Sequence, residues 1–365
     1  MITLPLHQQH QALGATFQPN GDWEIPAHYG NPQSEYEALH SNAGLADLSF
    51  RGNVIVTGDD RITWLQSIIS QDILPLQSGQ GKYSTFMDHK GKMLSYFRVF
   101  IHPEQVVIED VGEVGEQTYA ALRKFLLYGT KAKMAKGLES QGLLLLSGPK
   151  AAEILKDALG VEVENLASLQ SMPFFFDGAE GFIARTEETG MGDFELFVPL
   201  SALLALWTHL LKTGEPAGLK PIGKAIIETA RIEAGLPRLG PDINNRIVPP
   251  EANLEGIAFS LTKGCYPGQE VVARMDTYGS VKRRLVGLVI EGNEKDPPEA
   301  GAKLFSGTRE VGWVSSSTFS LLLQKPIALG FSLRDFTAAE TQLEVESRDQ
   351  RFPASVNSLP FTPPT

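Results

Sequence analysis

Lys263-Gly264-Cys265-Tyr266-Pro267-Gly268-Gln269-Glu270 holds the only cysteine in a chain of 365 residues, set between a lysine, two glycines and a Pro-Gly turn. A thiol with no second cysteine forms no internal disulfide, and alone it does not complete the ligand set of a structural zinc. It is therefore inert, reactive or shared with another molecule. Free cysteine often behaves as a small buried hydrophobe. Here Pro267-Gly268 marks a turn, which favours the surface, and the two glycines let backbone approach a ligand closely. The cation of Lys263 and the nearby amides are expected to lower a thiol pKa that is about 8.5 when unperturbed. Cys265 and Lys263 are thus the candidate reactive pair.

Upstream of this block, Pro221 to Ala234 is the clearest predicted helix. Proline suits its first turn, Ile222, Ile226 and Ala230 share a face, and Gly235 stops it. Arg231 in the last turn complements the helix dipole. Further back, Asn53 to Gly58 reads as a strand and Asp59 to Ile69 as a helix. More strands are predicted at Lys92 to Ile101, Gln105 to Glu109, Gly142 to Leu146, Gly181 to Arg185 and Phe194 to Val198, with helices at Gln117 to Leu127, Ala151 to Leu159 and Leu200 to Leu211. This mixture indicates α+β or α/β layering. Downstream of Arg284 the pattern becomes short apolar runs punctuated by glycine, Leu285 to Ile290, Val311 to Ser315 and Ile327 to Phe331, which reads as a small all-β domain. The proline-rich stretch 351–365 is expected to be a flexible tail.

The hydrophobic fraction of 42% and the length suit two or three domains with their own cores. A net charge of −11 disfavours binding to nucleic acid or anionic membrane over the whole surface. One local exception is Arg123 to Lys136, with five basic residues and no acid, which reads either as a solvated face or as a dock for RNA or a polyglutamate tail. No apolar run approaches the roughly 18–20 residues that span a bilayer, and the start lacks the charged and apolar regions of a secretory signal. A reducing, cytoplasmic setting is expected. Gly79 to Ser84 fails the Walker spacing, and Gly190 to Glu195 lacks the last glycine of a dinucleotide fingerprint. There is no G-x-S-x-G elbow, and no histidine pair is spaced for a metal.

Taken with its flanks, the cysteine block resembles the YgfZ family of folate-binding proteins, relatives of the glycine cleavage T-protein (aminomethyltransferase). The matching residues are Asn253-Leu254, Gly256-Ile257, Phe259, Lys263 to Glu270, Val272-Ala273-Arg274, Gly279 and Lys282-Arg283. Arg231 to Pro237 and Arg185 through Leu196 resemble segments shared by both branches. The resemblance implies an α+β cloverleaf over residues 1–280, with two α/β subdomains around a central folate channel and a β-barrel over residues 281–350. It implies tetrahydrofolate as cofactor, with Glu195 on the pterin edge, Arg231 beside the channel, and Tyr266 and Gln269 as further folate contacts.

The T-protein's Asp-Asp pair is replaced by Ser95 and Tyr96, and its tyrosine before the Thr-Gly step by Glu188. The general acid/base of glycine cleavage is therefore expected to be missing. What the resemblance implies is a cytoplasmic protein that binds tetrahydrofolate and assists iron–sulfur cluster assembly or repair, with indirect effects on tRNA modification. Cys265 would share a transient cluster with an iron–sulfur client or assembly protein, since one thiol cannot hold a cluster alone. A tetrahydrofolate-dependent aminomethyl- or methyltransferase with another donor, and a non-catalytic docking module, are the alternatives.

Overall fold

Along strand Met93–Ile101 the side chains alternate. Phe97, Val99 and Ile101 enter an apolar core with Trp64, Leu65 and Leu122, whereas Tyr96, Arg98 and Phe100 take the opposite face. That core lies between a five-stranded antiparallel sheet and the helices Arg61–Ile68 and Gly115–Arg123. The strand order is Gly81–Met87, Met93–Ile101, Gln105–Asp110, Asn53–Thr57 and Lys133–Lys136. The computed structural model describes residues 1–112, 115–278, 281–291 and 296–361. Gly279 and residues 362–365 lie outside the described residues.

The second sheet has six strands in the order Ser171–Phe176, Ala179–Thr186, Asp193–Pro199, Gln141–Ser147, Ala43–Asp47 and Leu219–Pro221. Phe194, Leu196 and Val198 pack beneath helices Ala151–Leu159 and Leu200–Gly214 around the buried Trp207. Each such fully buried side chain contributes about 1.5–3 kcal/mol. Period two then turns Glu195 and Phe197 to the other face, where Phe197 joins a core shared with Phe100 and Val107 of the first sheet. The two sheets therefore present their second faces to one another. Helix Lys224–Glu233 closes this region and also touches the barrel.

The barrel is a closed six-stranded ring in the order Arg283–Ile290, Lys325–Leu333, Arg309–Ser320, Lys303–Ser306, Gln342–Ser347 and Gln350–Asn357. The fold is α+β with a terminal barrel, as expected. The tail expectation is corrected over most of its length. Gln350–Asn357 pairs with both Gln342–Ser347 and Arg283–Ile290, and without it the ring would have an open edge. Beyond it, Phe361 donates its amide to Glu233 O at 2.9 Å and packs with Leu359 against Gly287. The polar first 52 residues also contain regular elements that patterning did not find, including helix Pro32–Ser41 and a small sheet of Ile2–Thr3, Trp23–Tyr29 and Ala15–Asn20. Another is helix Gln269–Tyr278, which starts directly after the Pro-Gly turn.

Candidate functional site

Six charged side chains meet where the two sheets face each other. Arg98 and Glu109 are cross-strand partners in the first sheet, and Glu195 reaches them from the second. Arg98 Nη1 lies 2.8 Å from Glu195 Oε1 and 3.3 Å from Glu109 Oε2, while its Nη2 donates to Glu188 Oε1. Arg51 donates to Glu188 Oε2 at 2.6 Å, and Arg238 stands 3.5 Å from the same oxygen. All six are at least 97% buried. Burial pushes the Glu188 carboxyl upward, but Arg51 and Arg98, with Arg238 behind them, outweigh it and hold the group well below the usual range. For Glu109 and Glu195 burial wins over the attraction of Arg98, so both carboxyls are raised. Glu195 Oε2 is buried without a hydrogen-bond partner. A buried acceptor in that state is costly unless another group meets it.

Beside this cluster lie two cavities with shared lining residues, the two openings of the candidate cleft. One, of about 730 Å³, lies between the strand end at Thr186, the turn through Met191, and helix Lys224–Glu233, and includes Leu236, Leu322 and Asp193. The other, also about 730 Å³, is bounded by Lys82, Tyr83, Phe259 and Ser260. Ser168 and Glu187 line both. The guanidinium of Arg98 lies 5.8 Å from the Tyr83 ring centroid, so the ion cluster sits directly under the wall of the second opening. Glu195 lies beneath this wall and is not part of it. The turn after Thr186 is built by Asp193, whose carboxylate accepts from the amides of Glu188, Thr189 and Gly190 at 2.9–3.1 Å. This turn carries Glu187 and Glu188 on successive positions, one into the cleft and one into the cluster.

The two aspartate replacements part company in the structure. Ser95 faces the helix side, 3.1 Å from Asp110 Oδ1 and 2.5 Å from the Thr118 hydroxyl. Burial pushes Asp110 up to about 7, against the pull of the Thr118 and Ser95 hydroxyls. Tyr96 takes the opposite face and stacks on Tyr83, with ring centroids 5.7 Å apart. Burial raises its phenol above the ordinary value.

Within the cysteine block, Gly264, Cys265 and Glu270 are exposed. The ammonium of Lys263, expected to activate the thiol, is engaged by three carbonyls. It donates to those of Gln66, Ile69 and Gln71 at 2.5, 2.7 and 3.1 Å. The Tyr266 hydroxyl donates to Ser260 O at 2.7 Å, and Gln269 Nε2 to Lys263 O at 3.2 Å. Both therefore hold the loop to itself. Arg231 is likewise engaged: it donates to Asp242 and Leu236 O at 2.9 Å, to Ser316 at 2.8 Å, and to Glu228. It ties helix Lys224–Glu233 to the barrel. The structure thus places Glu195 in the central cluster and Arg231 at its edge, joined to it through Glu228, which also pairs with Arg238 at 2.9 Å, with the cysteine block on a third element.

The fold recurs in known proteins. Residues 6–263 match the model of the GCVT N-terminal domain, and residues 283–362 that of the glycine cleavage T-protein C-terminal barrel domain. The chain belongs to the glycine cleavage T-protein family. It is 33% identical to an aminomethyltransferase of Corynebacterium aurimucosum, over 98% of this chain and 97% of that one. Against an aminomethyltransferase of Chlorobium luteolum the identity is 31%, over 98% and 97%. The crystal structure of the glycine cleavage system aminomethyltransferase T from Bartonella henselae superposes with a TM-score of 0.89 at 27% identity, covering 100% of this chain and 98% of that one.

Four residues of this T-protein fold's central cluster, Arg51, Arg98, Glu109 and Arg238, were not anticipated as site residues. Arg98 and Glu109 carried a signal: each is a charge at an inward position of an otherwise apolar strand, which requires a buried partner. Among the described residues, no set of three or more His, Cys, Asp or Glu side chains is arranged to hold a metal ion. The basic run from Arg123 to Lys136 is less basic in space than in sequence, because Lys136 pairs with Glu116 at 2.7 Å and Lys131 stands 3.8 Å from Asp59. Among the described residues, no helix is long and apolar enough to cross a membrane.

Proposed function

We propose that this protein binds tetrahydrofolate in the two-mouthed cleft and acts through the thiol of Cys265, not through a cleft carboxylate, in iron–sulfur cluster assembly or repair, with indirect effects on tRNA modification. The observation that carries the reading is the wall beside the ion cluster. The positions expected to be aspartates in a glycine-cleaving enzyme are Ser95, turned to the helix side, and Tyr96, whose phenol burial holds protonated. Neither is a general base at neutral pH. The residues fit the folate: the cleft has the size of a cofactor site, apolar Met191, Leu236 and Leu322 suit a ring system, and the unpartnered Glu195 Oε2 matches a donor edge. Tetrahydrofolate would supply a one-carbon carrier, Tyr83 would hold it at the cleft wall, and Glu195, which lies beneath that wall, would meet its donor edge only where the Tyr83 side chain gives way. Any cluster at Cys265 draws its remaining ligands from a partner.

An anaerobic tetrahydrofolate titration of wild type and Glu195→Ala tests the pocket. Loss of binding in the variant is expected, and equal affinity would remove Glu195 from the site. Replacement of the gene by Cys265→Ala tests the thiol, with iron–sulfur enzyme activity expected to fall.

A second reading is a tetrahydrofolate-dependent aminomethyl- or methyltransferase. The relatives named aminomethyltransferase favour it, since they align along nearly the whole chain. Turnover with candidate amine or methyl donors separates the two: methylene or methyl transfer at catalytic rate supports the transferase.

A further inference from the structure

Segment 66–71, at the end of helix Arg61–Ile68, and loop 257–263 are joined by a seam of hydrogen bonds. Ser260 donates its amide to Ser70 O at 2.9 Å, the Ser70 hydroxyl donates to Ala258 O at 2.6 Å, and Gln71 Nε2 to Ile257 O at 2.9 Å. The seam ends at Lys263. An ammonium has three protons, and here each has a carbonyl, those of Gln66, Ile69 and Gln71. Gln66 O belongs to the last turn of the helix, where carbonyls lack intrahelical partners and the dipole favours a cation. The loop held in this way supplies Ile257, Ser260, Leu261 and Thr262 to the second opening of the cleft. Two residues after Lys263 it presents the exposed thiol.

We infer that Lys263 is a positioning residue: its ammonium locks the end of helix Arg61–Ile68 to loop 257–263, and so fixes both a wall of the cleft and the place of Cys265, without activating the thiol electrostatically. The cation is neutralised by carbonyl dipoles on the side of the first sheet. Its contact with the rest of the block is through the Tyr266 ring, 5.3 Å from Nζ, and through its own carbonyl, which Gln269 holds. The lysine of the motif therefore does for Cys265 what a bolt does for a bracket. This inference rests on the reading of Cys265 as the acting group, but its test does not use that activity.

The lone cysteine makes the test direct, because a thiol-specific nitroxide attaches to the full-length chain at Cys265 only. In Lys263→Met the mobility of this label is expected to rise about twofold, as for a loop released from its anchor. Gln71→Ala removes a latch of the same seam, the bond from Nε2 to Ile257 O, while keeping the charge of Lys263, and should loosen the label in the same direction. The pH midpoint for reaction of the unlabelled thiol with an aromatic disulfide should be the same in all three proteins. An upward move of about one unit in Lys263→Met alone is what loss of an activating cation gives, and it would overturn the inference. A label equally immobile in Lys263→Met would overturn it too. Should that variant fail to fold, an unchanged label in Gln71→Ala is the overturning result. If Cys265→Ala leaves iron–sulfur activity intact, the proposed function fails while these mobility and pH results still stand.

Discussion

Glu188→Gln removes one carboxylate from a buried cluster of three arginines and three glutamates. Glu188 accepts from Arg51 at 2.6 Å and from Arg98, with Arg238 at 3.5 Å. Two contact pairs at an effective dielectric near 20 represent about 4 kcal/mol each in gross attraction. Against that, the variant no longer has to desolvate a carboxylate, which returns several kcal/mol, and breaking one side of a buried pair typically leaves a net loss of about 3–5 kcal/mol. The glutamine keeps the shape and one acceptor, so the loss reports charge and not a cavity. Part of it is recovered as Glu109 and Glu195, raised in the wild type, fall toward their ordinary values to serve as counter-ions. The sign with pH follows from the depressed Glu188 carboxyl. Its contribution is present above the unfolded value of about 4.3 and is lost as pH falls below it, so the difference between wild type and variant narrows in acid. Urea unfolding followed by tryptophan fluorescence, at pH 7 and then stepwise from pH 5 toward pH 2, reads both quantities. A loss under about 1 kcal/mol at pH 7 would refute the reasoning, because it is the range of an exposed pair.

Asp110→Asn is expected to flatten the pH dependence of stability. Burial raises Asp110 to about 7, so folding retains a proton that the unfolded chain releases near 3.9; its contribution is full below that value and is lost as pH rises to about 7. Urea midpoints should show the variant more stable than wild type at pH 8 by about 1–3 kcal/mol, and a less stable variant there would contradict the assignment. Gly268→Ala is expected to cost about 1–2 kcal/mol or more. The residue sits at φ +81°, and a methyl group would stand 2.7 Å from Asp88 O and 2.8 Å from Gly91 Cα. Thermal unfolding checks this, and an unchanged midpoint would mean that the turn relaxes freely.

Much of the fold is legible in the sequence because its strands obey period two and its helices period 3.6. Phe97, Val99 and Ile101 share one face as the pattern of Lys92 to Ile101 requires, and Ala151–Leu159 begins and ends at the predicted residues. The first 52 residues escaped because their helices are short and polar, docked by single groups. Glu35 is an example: its two oxygens accept from the amides of Tyr29 and Gly223, 188 positions away from the latter. Gln350–Asn357 escaped because Arg351 and Pro353 suit an exposed face of a ring whose need for a sixth strand is invisible locally. Of the candidate site, the structure gives the surroundings of single residues: Glu195 is buried among arginines and Cys265 is exposed. The pattern suggests Lys263 as the activator of the thiol and Tyr266, Gln269 and Arg231 as folate contacts, but in the structure their polar atoms are engaged by carbonyls and carboxylates of the chain itself. A sequence pattern marks residues that a site requires without separating those that touch a ligand from those that hold the wall.

The two departures from the glycine-cleaving pattern have a common electrostatic meaning. Arg51, Arg98 and Arg238 converge beside the cleft, and three buried cations need carboxylates. With Ser95 and Tyr96 on strand Met93–Ile101, no acid comes from those two positions, while Glu188 brings one from the turn that Asp193 builds. The charge requirement is met, but by a carboxylate whose two oxygens are both taken by guanidinium donors and whose proton affinity those donors suppress. Such a group balances the cluster and is a poor base. On the function proposed above, such a T-protein fold keeps the charged floor beneath its cleft, and its chemistry passes from a wall carboxylate to the thiol of Cys265.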